Sequence, residues 1–418
     1  MNKSNRSSCG LSLETIEDFS KNLSTNLRII RKKFKKGYKF EAVKGVVISK
    51  ASSSGKIKLR GIRVAEVADR VAQRAITRII EPLLEKKFNL RNEASFAYLK
   101  RRKSTDETRS VQTALMRMIQ LYEGNRPWVF EADIVKFFDT VDRKKLLEEK
   151  IFPSLPDSSI NSLIEDALSQ EVITLSSDER TDWDALFPEG GIPQGGGLSP
   201  LLANVCLSDL DAQMLKDGFG LIRYADDFIV LCETREKAVE AQTLAEKVLK
   251  ELNLQLHSEK TDILKITQNK FSFLGVRYNG QRIWPDEEKL SSFKKNILEI
   301  TEFKPYKNLL DVLKSLKYAV EGWIAAYSFS DLAPYLPVVE DLIRTRLGVC
   351  ASRMGWNGAK NILSSRARSF SGIRSLFEFL ARQRANLSEK EAEVFKIKYS
   401  IVPPEKAKSQ ETHMPAHE

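Results

Sequence analysis

Histidine is scarce in this chain. Only His257, His413 and His417 occur among 418 residues. A histidine nucleophile or general base is therefore not expected, and a His-rich endonuclease module would lack ligands. His257, in a short strand-like run, reads as structural. The four cysteines, Cys9, Cys206, Cys232 and Cys350, are scattered without a Cys-x-x-Cys pair. That argues against a zinc module and for free thiols in a reducing cytoplasm. No apolar core follows the charges of Met1-Asn2-Lys3-Ser4-Asn5-Arg6, so a secretory leader is not expected. No apolar run approaches membrane-spanning length, and there is no internal repeat or low-complexity tract. Positive charge is plentiful: 67 Lys and Arg stand against 56 Asp and Glu, a formal net charge of +11. Such a surplus favours polyanions through counterion release. Residues 28–39 interleave bases with Phe34 and Tyr38, a mix suited to gripping phosphates and stacking on bases. A solvated basic helix with buried aromatics reads equally well from the same residues.

The most informative stretch is Tyr224-Ala225-Asp226-Asp227, set between the apolar runs Leu221-Ile222 and Phe228-Ile229-Val230-Leu231. This pattern predicts a β-hairpin with the acids at its tip. Adjacent carboxylates repel, and burying them is costly unless a cation sits beside them. A divalent metal satisfies them, and one more acid would complete a two-metal site for phosphoryl or nucleotidyl transfer. The candidate is Asp133, near the end of the strand-like run Trp128-Val129-Phe130-Glu131-Ala132-Asp133-Ile134-Val135. Each acid alone reads as a cap or a solvated turn. Together they require two distant strands to meet. Between them lies Gly191-Ile192-Pro193-Gln194-Gly195-Gly196-Gly197-Leu198-Ser199-Pro200. Successive glycines allow close backbone approach to a ligand. The apolar segment Leu198 to Leu210 predicts a helix whose N-terminal amides lie nearby.

The order Asp133…Phe138, Pro193-Gln194-Gly195-Gly196, Tyr224-Ala225-Asp226-Asp227 resembles the palm of reverse transcriptases. The likeness is to the bacterial group that includes group II intron proteins and defence-associated enzymes. Leu256-His257-Ser258-Glu259-Lys260-Thr261 and Phe273-Leu274-Gly275-Val276 continue it, as do Asp69-Arg70-Val71-Ala72-Gln73-Arg74 and Ser95-Phe96-Ala97-Tyr98 upstream and Gly322-Trp323-Ile324-Ala325-Ala326-Tyr327 downstream. The resemblance runs from about residue 45 to residue 350. Leu99 stands where the family usually has arginine, and Lys56-Ile57-Lys58-Leu59-Arg60 replaces a proline-containing basic segment.

The resemblance implies an α+β right-hand polymerase. Residues 1–40 are an N-terminal extension, helical from about Leu13 to Phe34. Residues 41–125 are fingers, with a helix near Val67–Lys87. Residues 126–285 are the palm, an antiparallel sheet flanked by helices, one of them capped by Thr234. Residues 286–385 are a helical thumb with C-terminal helices, and 386–418 are a tail, partly disordered. It implies that Asp133, Asp226, Asp227 and the Ile134 carbonyl hold two Mg²⁺ ions, with Mn²⁺ as a substitute. Lys56, Lys58, Arg101, Phe138, Gln194, Gly195 and Lys260 contact the nucleotide or template. Phe138 is a steric gate against the 2′-hydroxyl, and Lys260 serves the pyrophosphate. Phe273, Leu274 and Gly275 form a primer grip. The implied activity is copying a structured noncoding RNA template into a cDNA product from deoxynucleoside triphosphates, in antiphage defence. A group II intron maturase, a non-catalytic RNA-binding scaffold and an RNA-copying RNA polymerase are the alternatives. No membrane partner is expected, and a homo-oligomer is compatible with the sequence.

Overall fold

The computed structural model describes residues 8–51, 57–99, 108–174, 182–267, 271–306, 308–355 and 375–397. It divides into two compact units, residues 1–121 with 125–264, and residues 122–124 with 265–418.

The first unit opens with α1 (Ile16–Lys21), started by a capping box between Thr15 and Asp18. After it, α2 (Leu23–Lys36) ends at Gly37, φ 90°. The single helix expected from Leu13 is thus corrected. Leu13 has φ 62°, outside the helical region, and Asn22 interrupts the run at φ −121°, ψ 38°. Tyr38 is buried, its ring is 4.8 Å from that of Phe34, and its hydroxyl donates to Asp69 at 2.8 Å. These rings belong to the core, so the basic segment offers cations but no stacking platform.

Next come β1 (Val43–Ala51) and β2 (Ile57–Val64), an antiparallel pair in the register Val47↔Gly61. Helix α3 spans Val67–Lys87, where a helix is expected, and buries Ala72, Gln73, Ile76, Ile80 and Leu84 on one face. Helix α4 (Val111–Glu123) leads to β3 (Trp128–Asp133). The short helices α5 (Phe137–Thr140) and α6 (Arg143–Lys145), a π-helical turn (Leu146–Ile151) and α7 (Asn161–Leu168) follow. Strand β4 (Val172–Thr174) lies parallel to β1, and α8 (Trp183–Leu186) packs over the pair.

The apolar run after the glycines forms two helices rather than one, α9 (Ser199–Cys206) and α10 (Ser208–Lys216). The break has a cause: the Ser208 hydroxyl donates back to the Val205 carbonyl at 2.8 Å, and the Lys150 ammonium caps the Val205 and Cys206 carbonyls. Strands β5 (Gly220–Tyr224) and β6 (Asp227–Cys232) form the predicted hairpin. Helix α11 (Arg235–Glu251) is capped by Thr234 and buries Ala238, Ala241, Ala245, Val248 and Leu249. With β7 (Asp262–Lys265) the central sheet has the order β5-β6-β3-β7. Because side chains alternate along a strand, Phe130, Ala132, Phe228 and Val230 join the core with the small face of α11, while Glu131 and Asp133 take the opposite side.

In the second unit, β8 (Ser272–Phe273), β9 (Val276–Tyr278) and β10 (Ile283–Pro285) make a small antiparallel sheet. The β8–β9 turn is Leu274-Gly275, with φ 52° and 81°. Positive φ at both positions is the type I′ pattern that matches strand twist. Helices α12 (Glu287–Ile300), α13 (Leu309–Tyr327), α14 (Leu336–Arg353) and α15 (Leu376–Arg384) enclose a separate core, in which Phe293 and Trp323 stack at 4.3 Å. No helix of the described residues is long and apolar enough to cross a membrane.

Candidate active site

Strands β3 and β6 pair so that Asp133 stands opposite Asp227. The β5–β6 register Tyr224↔Asp227 leaves Ala225-Asp226 as a two-residue turn. Ala225 has φ 65°, a position usually filled by glycine, and its left-handed backbone stores on the order of 1–2 kcal/mol. Asp133, distant in sequence, and the adjacent Asp226 and Asp227 therefore meet at one end of the sheet. Burial pushes the Asp226 carboxyl above its ordinary value, and the Asp133 charge adds to the push. Its own amide and the charges of Arg60 and Lys260 oppose them. Glu131, on the same face two residues before Asp133, is pushed up to about 8 by burial and then by Asp227 and Asp262.

The Lys260 ammonium binds the Asp133 carboxylate, and its backbone amide donates to the His257 carbonyl at 2.9 Å. Residues 134 and 256 form an antiparallel bridge, flanked by Val135 N–H to Gln255 (2.9 Å) and His257 N–H to the Asp133 carbonyl (2.8 Å). Those bonds bracket Ile134 and leave its own carbonyl out of this pairing. Among the described residues no three His, Cys, Asp or Glu side chains are gathered closely enough to cage a metal. The donor chemistry nevertheless suits a hard divalent ion. Burial outweighs the charges of Arg60 and Lys260 at Asp226, and the Asp133 carboxylate already takes a cation.

The glycine loop is fastened on several sides. The Phe138 carbonyl accepts from Ile192 N–H at 2.8 Å, and a Cβ on Gly191 (φ 72°) would stand 2.3 Å from that oxygen. The Gln194 carbonyl accepts from Arg63 N–H at 2.9 Å, and its side-chain amide reaches Asp139 at 3.3 Å. Gly195 (φ 99°) lies so close to β2 that a Cβ would be 2.5 Å from the Arg63 carbonyl. Gly197 N–H donates to the Gln73 side chain at 2.6 Å. The Phe138 ring is half-buried, edge-on to Phe137 at 5.3 Å.

The acids, Ile134, Phe138, Gln194, Gly195 and Lys260 thus fall in one unit, on elements joined by these bonds. Lys58 lies in β2 opposite Lys50, with its side chain outside the described residues, as are Lys56 and Arg101 altogether. Phe273, Leu274 and Gly275 belong to the second unit, where Phe273 is buried and a Cβ on Gly275 would meet Lys289 and Tyr327. Sequence reasoning missed Arg60, whose charge acts on Asp226 and Asp139. Strand alternation from Lys58 could have pointed to it. It also gave no role to Gln73, although the block Asp69 to Arg74 marked its surroundings, nor to Asp139 and the buried Arg223.

Residues 48–278 match the protein family described as reverse transcriptase (RNA-dependent DNA polymerase). Protein YkfC of Escherichia coli K12 is 26% identical over 293 residues, 61% of this chain and 71% of that protein. The group II intron-encoded protein LtrA of Lactococcus lactis subsp. cremoris is 29% identical over 178 residues, 42% of this chain but 26% of LtrA. Among solved structures, a partial Cas6-RT-Cas1–Cas2 complex matches at 31% identity over 56% of this chain and 36% of that one, with a TM-score of 0.29. Telomerase from Candida albicans matches at 12% identity over 91% and 70%, with a TM-score of 0.42. With more than half its length matched, and the paired acids and glycine loop inside the matched region, the chain belongs to the reverse transcriptase family and is an RNA-directed DNA polymerase of α+β, right-hand type.

Proposed function

We propose that the enzyme copies a structured noncoding RNA into cDNA at the Asp133–Asp226–Asp227 end of the central sheet. The observation that carries this reading is the register Asp133↔Asp227 beside a turn that presents Asp226. These acids, with the Ile134 carbonyl, would hold two Mg²⁺ ions, or Mn²⁺ in their place. Such ions, when bound, lower the pKa of a primer hydroxyl and neutralise charge on the triphosphate. The chain's own residues supply orientation. Gln194 and Gly195, fixed to β2 and Asp139, hold the template and incoming deoxynucleotide. Phe138 presents a half-buried ring toward the sugar. Lys260, released from Asp133, meets the leaving pyrophosphate, and Arg60, with Lys56, Lys58 and Arg101, attends the triphosphate. Phe273, Leu274 and Gly275 grip the primer. Helix α2 supports RNA binding: Arg28, Arg31, Lys32 and Lys35 are all exposed at helical spacing, opposite the buried Ile30.

We place the enzyme in the cytoplasm, where buried free thiols persist, and assign it to antiphage defence by resemblance to defence-associated enzymes. The likeness to LtrA supports a second reading, an intron-encoded maturase and reverse transcriptase. Replacing Asp226→Ala tests the chemistry: primer extension should vanish while RNA affinity stays unchanged, and retained synthesis overturns the site. Sequencing RNA and cDNA that co-purify with the protein tests the biology. A dedicated noncoding RNA with matching cDNA is expected, and recovery of its own flanking intron instead favours the second reading.

A further inference from the structure

We propose that Arg223 is a positioning residue that aims the Asp226 carboxylate by holding the carbonyl of Ala225 from inside the protein. The inference rests on the catalytic reading of Asp226.

Arg223 sits in β5 with no exposed surface, among the largest fully buried side chains of the chain. Arginine is rarely buried so completely unless paired. Here all five of its N–H groups have an acceptor. Nε donates to Asp211 Oδ1 at 2.7 Å and Nη2 to Asp211 Oδ2 at 2.6 Å, a two-pronged pair with α10. Nη2 also reaches the Ser95 hydroxyl at 3.0 Å. Nη1 reaches Asn204 Oδ1 in α9 at 3.0 Å and the Ala225 carbonyl at 3.0 Å. Its main chain is tied too: Arg223 N–H donates to Ala94 at 2.7 Å, and Phe96 N–H donates to Arg223 at 3.0 Å.

The last side-chain contact is the informative one. The Ala225 carbonyl belongs to the peptide that joins Ala225 to Asp226, so fixing that oxygen fixes the plane from which the Asp226 side chain departs. Ala225 is held at φ 65° without being glycine, a conformation that persists only when its surroundings over-determine it. A planar fork anchored on α10, α9 and residue 95 does so, and a lysine cannot make the same set of bonds. Stability alone does not call for this group, because an apolar pair of similar size is often at least as stable as a buried ion pair.

The test uses the full chain with a DNA primer on an RNA template. Two variants are compared with the parent: Arg223→Lys, and the double replacement Arg223→Met with Asp211→Leu, which removes both charges together. Thermal midpoint, primer–template affinity and single-turnover nucleotide addition are measured. Mn²⁺ affinity is read from water-proton relaxation without substrate. Folded variants are expected to bind primer–template normally, to add nucleotides about 10²-fold more slowly, as a misplaced group would, and to bind Mn²⁺ more weakly. A folded double variant with the parent's rate and Mn²⁺ affinity overturns the proposal. So does failure of both variants to fold, which makes Arg223 a structural cross-link. Should Asp226→Ala retain synthesis, the site reading itself fails. Should it be inactive while the folded Arg223 variants work normally, only the positioning role fails.

Discussion

Replacing Gln73→Met probes how helix α3 holds the glycine loop. Gln73 is 2% exposed, and methionine nearly conserves its volume, so the perturbation is polar rather than steric. The side-chain oxygen accepts from Gly197 N–H at 2.6 Å, and the amide donates to Gln170 at 2.7 Å. Gln170 in turn reaches Asp69 at 3.2 Å and the Glu41 carbonyl at 2.6 Å. The substitution orphans the Gly197 N–H and the Gln170 side-chain oxygen. An orphaned buried group costs about 1–3 kcal/mol, and Gln170 is partly open to water, so the total should be about 3 kcal/mol. For a unit of this size that is a fall in thermal midpoint of about 6–12 °C. The Thr77 hydroxyl still donates to the Gly197 carbonyl at 3.2 Å, so the loop should loosen rather than detach. Because Gln194 and Gly195 share that loop, KM for the deoxynucleotide should rise about tenfold, the equivalent of about 1.4 kcal/mol. Differential scanning fluorimetry and steady-state primer extension read both effects. An unchanged midpoint would refute the hydrogen-bond argument. An unchanged KM in a destabilised variant would refute the link between loop and nucleotide.

Phe138→Ala should raise ribonucleotide incorporation relative to deoxynucleotide by about 10²-fold if the half-buried ring gates the sugar; competition with paired nucleotides measures the ratio, and an unchanged ratio removes the gate. Lys260→Met breaks an ion pair whose side chains are 51% and 27% exposed, so stability should move by less than about 1 kcal/mol while nucleotide addition slows about 10²-fold. Thermal shift and rapid quench test this together, and full activity would free Lys260 of its role. Burial raises the Cys206 thiol from 9.0 to about 11 and the Cys232 thiol to about 12, and Cys350 is fully buried. At pH 8 a disulfide reagent should therefore titrate Cys9 alone until the protein is unfolded. Because the folded values are raised, the stability these two thiols contribute is complete below about pH 9 and is lost as pH climbs through 11 and 12; denaturant midpoints at pH 8 and pH 11 check the sign.

Local patterns carried much of the fold. The apolar–acidic–apolar run around Asp226 encoded a hairpin, the helix expected near Val67–Lys87 formed with matching ends, and Thr234 marked the start of α11. Each depends on residues within one or two turns of one another, so the chain states it directly. The same reasoning failed where a polar side chain overruled periodicity, as when Ser208 and Lys150 ended α9 inside an apolar run, or when Asn22 split the N-terminal helix.

The sequence by itself determined which acids come together at the end of the central sheet, because two strand signatures with carboxylates at their ends leave few ways to be satisfied. Only the tertiary structure decided what holds them. The Arg223 fork draws on residues 95, 204 and 211 at once, and the Gln73 amide joins α3 to a loop far along the chain. Such contacts leave no periodic trace, since a buried donor finds its acceptors through packing of whole elements, and packing is a property of the folded chain.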